Sequence, residues 1–195
     1  MVKIAIYQVM TRLYGNKNKT RSKNGTIEEN GCGKMNDINE AALKSIASMG
    51  FSHVWYTGLI RHASTTSYPF MSHPANANVV KGKAGSPYAI KDYYDIDPDL
   101  AVDVDSRLDE FKKLVKRTHD VGLKMIIDFV PNHVARNYYS DREPQRPMFG
   151  DDDCTDISFL PSNNYYYLVG QSFVSPESSL DLTYNESPAK VSGND

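Results

Sequence analysis

Three apolar runs alternate with two helical patterns along the first two thirds of this 195-residue chain. The runs read "VKIAIYQV", "FSHVWYTGLI" and "KMIIDF", and they begin at residues 2, 51 and 124. Strands that alternate with helices usually lie parallel and are joined by right-handed crossovers. The order therefore predicts an α/β fold with a parallel sheet, either doubly wound or part of an eight-stranded barrel. Because the third run is almost continuously apolar, we expect its strand to be buried on both faces.

Both helical patterns carry start and stop signals. In "NDINEAALKSIASMG", Asn36 or Asp37 is suited to cap the amino end of a helix, and Gly50 follows its carboxyl end. The second pattern opens at Ser106, and its apolar residues recur at helical spacing until Gly122 ends it. We therefore expect one helix between each pair of successive strands.

Two long stretches show no sustained periodicity and are predicted to be connections. Residues 11–35 are polar and rich in Asn, Lys and Gly, and residues 61–105 contain four prolines. After the first strand, "RLYGNKNK" offers one glycine where a dinucleotide-binding turn needs three. The sequence therefore argues against a nucleotide-binding sheet.

Polar side chains follow the third apolar run at the point where its strand has to stop. In "LKMIIDFVPNH", Pro131 has no backbone N–H and disfavours helical geometry in the residue before it. Asp128, Asn132 and His133 are therefore predicted to lie at or just past the carboxyl end of the strand. In both parallel architectures, ligands bind at this end of the sheet. We expect a binding site there.

Composition excludes several classes of partner. The chain is 40% hydrophobic and 24% charged, which is typical of a globular protein and too apolar for a disordered one. A formal net charge of -2 gives no general attraction to nucleic acid or to an anionic membrane. The segment "MVKIAIYQVM" enters a strand pattern at once, without the features of a signal peptide or a transmembrane span. We expect a cytoplasmic protein with no nucleic-acid or membrane partner.

Three stretches, in this order, resemble the α-amylase family of glycoside hydrolases, family 13. "DFVPNH" at 128–133 is similar to the family's first signature region, "SPYAIKDYYDIDPDL" at 86–100 to its segment before the second helix, and "GFSHVWYTGL" at 50–59 to its second barrel strand. The resemblance implies a partial (β/α)8 TIM barrel, with about three βα units over residues 1–136. Residues 137–195 resemble the start of the irregular domain B, which the family inserts after strand three.

The resemblance gives four residues a role. Asp128 would hold an arginine that precedes the nucleophile, His133 would hydrogen-bond the sugar at subsite -1, and the ring of Tyr88 would lie against that sugar. Asn132 offers an amide oxygen, which suits a calcium ion between barrel and domain B, so Ca²⁺ is a predicted cofactor. Without the resemblance, Asp128 would be interpreted as a strand-end cap, His133 as a loop histidine and Tyr88 as a packing aromatic.

The catalytic carboxylates of the family are not expected among these residues. A retaining glycosidase needs a nucleophile and an acid about 5 to 5.5 Å apart. In the family, the nucleophilic aspartate lies on strand four, the acid/base glutamate on strand five and a third aspartate after strand seven. All three are therefore predicted to lie beyond Asp195, and the chain alone is predicted to be inactive.

The resemblance implies the N-terminal portion of a retaining glycosidase that acts on α-glucosidic bonds of starch, glycogen or maltooligosaccharides. A transglycosylase or a sucrose- or trehalose-converting enzyme of the same family is an alternative, because the strands that set specificity are not present. A non-catalytic homologue that serves as a binding or transporter-associated subunit is another. An unrelated parallel α/β binding protein is a third, disfavoured by the missing phosphate loop.

Overall fold

A computed structural model describes residues 3–175 and 184–191 of the chain. The chain divides into two compact units, each made of two segments. Unit 1 comprises Met1–Arg61 and Asp95–Phe129, and unit 2 comprises His62–Tyr94 and Val130–Asp195. Residues 62–94 thus group with the later part of the chain. The assignment of residues 1–136 to a barrel and 137–195 to domain B stays a prediction.

Three helices and seven strands occur in the part of the chain that the structure describes. In chain order they are β1 (Ile6–Met10), α1 (Ile27–Asn30), α2 (Glu40–Ser48), β2 (His53–Thr57), β3 (Ile60–His62), β4 (Ile90–Ile96), α3 (Arg107–Asp120), β5 (Lys124–Ile127), β6 (Tyr166–Leu168) and β7 (Ala189–Val191).

A parallel sheet of three strands forms the centre of unit 1. Its order is β1, β2, β5, and β2 pairs in parallel with both neighbours. Val54 and Tyr56 of β2 are fully buried, together with Leu43 of α2 and Leu114 of α3, in one apolar core. The predicted parallel α/β fold is therefore confirmed for three strands and the helices between them. No closed barrel is formed by the described residues.

The two longer helices follow the predicted pattern except at the start of α2. Its cap is Asn39, whose side chain accepts a hydrogen bond from the backbone N–H of Ala42 at 3.0 Å. The expectation of a cap at Asn36 or Asp37 is wrong, because Met35–Asp37 forms a separate 3-10 turn. Helix α3 ends as predicted. No helix among residues 3–175 and 184–191 has both the length and the apolar character needed to cross a membrane.

Strand β5 is not buried on both faces, contrary to expectation. The side chain of Ile127 is 42% exposed, and that of Phe129, just after the strand, is 69% exposed. The physical reason is that β5 is an outer strand, which pairs only with β2 within the described sheet. The side chains of an outer strand have neighbouring side chains on one flank only, so they are less buried than those of a central strand.

Strand β4 lies inside the stretch that was expected to be a connection. It reads "IKDYYDI" and pairs with β3. Lys91 and Asp92 in this strand are buried, with 2% and 0% exposure. Buried charged residues interrupt the apolar pattern by which strands are recognised in a sequence, and the strand was missed for this reason.

Unit 2 is organised around aromatic side chains. Val134, Tyr165 and Tyr167 are buried, and Tyr93 and Tyr138 pack against them. Strands β6 and β7 form an antiparallel pair in the same unit. Within the described part of residues 137–195, β6 and β7 are the regular elements.

Candidate functional site

Asp128 immediately follows the last residue of β5, at the carboxyl end of the parallel sheet. Its Oδ1 accepts a hydrogen bond from the indole N–H of Trp55, a residue of the neighbouring strand β2. Its Oδ2 is buried and has no hydrogen-bond partner among the described residues. One oxygen is thus fixed within unit 1, while the other is left to a further donor.

Residues 130–133 lie in unit 2 and are anchored by Tyr93 of β4. The hydroxyl of Tyr93 donates to the carbonyl oxygen of Val130 and lies 3.4 Å from the carbonyl oxygen of His133. Burial raises the pKa of Tyr93, so the hydroxyl stays protonated and remains a donor at neutral pH. The backbone at His133 is therefore held in place, and its imidazole is half-buried.

Tyr88 lies two residues before β4, and its side chain is 41% exposed. Its backbone N–H donates to Oγ of Ser86 at 3.3 Å, which steadies the turn that precedes the strand. Part of the Tyr88 side chain is therefore accessible to solvent.

The four candidate residues are divided between the two units. Asp128 belongs to unit 1, whereas Tyr88, Asn132 and His133 belong to unit 2. Their assembly around one sugar stays a prediction.

A calcium site is not complete in the described residues. Asn132 is exposed, and a calcium ion takes six to eight oxygen ligands. No group of three or more His, Cys, Asp or Glu residues that could hold a metal ion occurs in the ranges that the structure describes. Asn132 could contribute one amide oxygen to such a site.

An aromatic cavity of about 550 Å³ lies within unit 2. Tyr138 and Phe149 line it with ring centres 4.8 Å apart, beside the charged side chains of Arg146 and Asp151. Burial raises the pKa of Tyr138 to about 12. None of the candidate sugar-site residues lines this cavity.

Two features escaped prediction. Trp55 is the single tryptophan of the chain and lies in a predicted strand, so the sequence does single it out. Its bond to Asp128, however, depends on which strands are neighbours in the sheet. The second is a buried ion pair: Arg107 donates from Nε and Nη2 to the carboxylate of Asp95, both at 2.8 Å. Arg61 lies 3.8 Å from the same carboxylate.

Cys32 is not a candidate nucleophile. Burial raises the pKa of its thiol to about 11. A thiol must lose its proton to attack a substrate, so at neutral pH this residue stays in the unreactive form.

The three-stranded parallel sheet, with a carboxylate directly after its outer strand, defines an α/β protein. The family model for the α-amylase catalytic domain matches residues 12–167. The chain therefore belongs to the α-amylase family.

Curated relatives of two kinds match shorter stretches. The amino acid transporter heavy chain SLC3A1 of Mus musculus is 31% identical over 93 residues, which is 44% of this chain and 13% of that protein. Maltase A1 of Drosophila melanogaster is 26% identical over 123 residues, 62% of this chain and 17% of the maltase. The chain thus matches less than a fifth of the length of either relative.

Among solved structures, an α-amylase from Lactobacillus plantarum is 28% identical to this chain. The match covers 68% of this chain and 23% of the amylase, with a TM-score of 0.47.

Proposed function

We propose that this chain provides part of the sugar-binding site of a retaining α-amylase-type glycosidase, which acts on α-glucosidic bonds of starch, glycogen or maltooligosaccharides. The observation that carries the proposal is the second oxygen of Asp128, which is buried and has no hydrogen-bond partner among residues 3–175 and 184–191. The family places beside this residue an arginine that precedes the nucleophile. A guanidinium would satisfy the free oxygen.

Energetics support this interpretation. A buried acceptor that lacks a partner costs about 1 to 3 kcal/mol, and more when the group is charged. A structural carboxylate would be expected to use both oxygens within its own unit, as Asp95 does with Arg107. The unsatisfied oxygen of Asp128 therefore supports a second partner outside the described part of the chain.

The two sugar-contacting residues have suitable surroundings. The exposed ring of Tyr88 offers an apolar face for the C–H groups of a pyranose, and its hydroxyl adds a polar tip. His133 offers a ring nitrogen for a sugar hydroxyl, on a backbone that Tyr93 holds in place. Both residues lie in unit 2.

A second candidate function is that of a non-catalytic subunit associated with a transporter. It is favoured by the 31% identity to the mouse amino acid transporter heavy chain over 93 residues. The coding sequence that follows Asp195 separates the two. An Asp, a Glu and a further Asp at the ends of the next barrel strands would support the glycosidase, and their absence would support the binding subunit.

Replacing Tyr88 by Ala is expected to lower kcat/KM for a maltooligosaccharide about tenfold, which is about 1.4 kcal/mol of lost transition-state binding. The measurement needs a longer polypeptide that contains the catalytic carboxylates of the family. Tyr88→Phe keeps the ring and should retain most of the activity. Tyr94→Ala removes another exposed tyrosine, which we have not placed at the site, and should change kcat/KM by less than about twofold. Equal losses in the two alanine variants would contradict the role of Tyr88.

We also propose that the longer polypeptide binds Ca²⁺ with Asn132 as one ligand. A ligand that binds only the native state stabilises it, by about 2.7 kcal/mol at a concentration 100 times its Kd. A chelator should therefore lower Tm of that polypeptide, and Asn132→Ala should reduce the difference between chelated and calcium-loaded samples. A Tm that does not respond to chelation would refute the calcium proposal.

A further inference from the structure

We propose that Trp55 is the residue that positions Asp128 at the sugar site. The proposal rests on the proposed function, because it gives Trp55 a role that it performs through the same carboxylate. The indole N–H of Trp55 donates to Oδ1 of Asp128, and both residues lie in unit 1. Trp55 is thus a positioning residue.

The register of the parallel sheet explains how Trp55 reaches this carboxylate. Trp55 of β2 lies beside Ile126 of β5, and Asp128 follows Ile126 by two residues. Side chains two residues apart along an extended chain point to the same face, and the distance between them is roughly 6.6 Å. The indole is long enough to span this distance from the neighbouring strand.

Trp55 is on the face of the sheet that does not form the apolar core. Val54 and Tyr56, its two neighbours on β2, are fully buried in that core. The hydroxyl of Tyr56 is also 2.8 Å from Oγ1 of Thr118 on α3, which identifies the face that the helices cover. Side chains alternate along a strand, so Trp55 projects from the opposite face. The hydrogen bond from Trp55 to Asp128 therefore lies outside the apolar core.

The chemistry of the indole suits a positioning role. An indole N–H donates one hydrogen bond and accepts none. In a hydrogen bond with the carboxylate of Asp128, the indole can therefore act only as the donor, and Oδ1 can act only as the acceptor. With Oδ1 held, Oδ2 is presented in a fixed direction, buried and without a partner among the described residues. A cationic group that approaches this oxygen meets a carboxylate that is already oriented.

The first test uses the 195-residue chain and a spectroscopic readout. Trp55 is its single tryptophan, so labelling with 15N-tryptophan gives one indole N–H signal. We expect the proton of this signal to lie downfield of free tryptophan, because it is bonded to a carboxylate. Asp128→Ala should remove the displacement. Asp128→Asn, which keeps an oxygen acceptor of similar shape, should retain part of it.

A matched control distinguishes loss of the bond between Trp55 and Asp128 from a general disturbance of the sheet. Tyr56→Phe removes a buried hydroxyl from the adjacent position of the same strand and should leave the indole signal unchanged. An indole signal at the position of free tryptophan in the parent chain would overturn the proposal. So would a displaced signal that does not respond to either substitution of Asp128.

The second test measures kinetics in a longer polypeptide that carries the catalytic carboxylates. Trp55→Phe keeps an aromatic ring but loses the donor, and it should lower kcat about tenfold with little change in KM, because catalysis depends on orientation. Added to Asp128→Ala, it should cause no further loss. Additive losses would refute a role through Asp128. If the parent polypeptide is inactive on every α-glucoside, the proposed function fails, and the indole signal still tests the pair.

Discussion

The 195-residue chain, purified alone, is expected to hydrolyse no starch or maltooligosaccharide above a matched blank. A retaining glycosidase needs two carboxylates about 5 to 5.5 Å apart, one as nucleophile and one as acid and base. The family carries them on strands four and five of its barrel, whereas the described residues form three strands of a parallel sheet. Loss of a catalytic group that works as part of a unit costs several orders of magnitude in kcat.

Three buried acids, Asp92, Asp95 and Asp99, have structural partners. Asp92 is fully buried, and its Oδ1 accepts a hydrogen bond from the backbone N–H of Tyr94 at 2.9 Å. Asp99, also buried, pairs with Arg12. Asp95 is bound by Arg107 at two positions. None of them is therefore suited to act as a nucleophile.

A dye-release assay on a purified, folded monomer measures this expectation. The blank should contain the same protein after heat denaturation, so that contaminating activity that survives heating is recognised. Turnover that copurifies with the folded chain would show that a catalytic carboxylate lies within residues 1–195. It would also contradict the division of roles proposed above.

The succession of the three parallel strands along the chain and the carboxyl ends of both long helices could be predicted from the sequence, because they depend on local patterns. Gly50 and Gly122 follow the two helices, and both adopt positive φ angles of 88° and 81°, which glycine permits without strain. Alternation of strands and helices was likewise sufficient to predict a parallel sheet. Local chemistry determines both features.

The start of α2 could not be predicted, since several residues there are able to cap a helix. The guanidinium of Arg117 on α3 donates to the carbonyl oxygens of Met35 and Ile38, the latter at 2.7 Å. These bonds hold the preceding turn apart from the helix, so that Asn39 becomes the cap. The position of the cap is thus determined by Arg117, which is 79 residues from Ile38 in the sequence and is not part of any local pattern.

The candidate site was predictable only in part, for the same reason. The position of Asp128 after the strand follows from Pro131 and the apolar run. Its bond to Trp55 requires that β2 lie beside β5 in a particular register, which the sequence of either strand does not specify. Sequence thus located the carboxylate, and the structure located the group that orients it.

Replacing Arg107 by Met is expected to destabilise unit 1 by about 3 kcal/mol or more. The side chain of Asp95 is 0% exposed and receives two hydrogen bonds from Arg107, each 2.8 Å long. Without Arg107, the buried carboxylate keeps the backbone N–H of Ile96, at 2.9 Å, and the more distant Arg61, at 3.8 Å. When a buried charge loses its partner, most of its desolvation free energy is no longer offset. Urea denaturation, followed by circular dichroism, measures the loss.

Two further variants show whether the effect comes from the buried charge. Lys116→Met breaks an ion pair with Asp120 on the same helix, but both side chains are more than half exposed, so the loss should stay below about 0.5 kcal/mol. Combining Arg107→Met with Asp95→Asn should recover part of the stability that Arg107→Met alone loses, because the negative charge of Asp95 is then no longer left buried without Arg107. A double variant less stable than the single variant would contradict this explanation and would assign the loss to packing around the arginine stem instead.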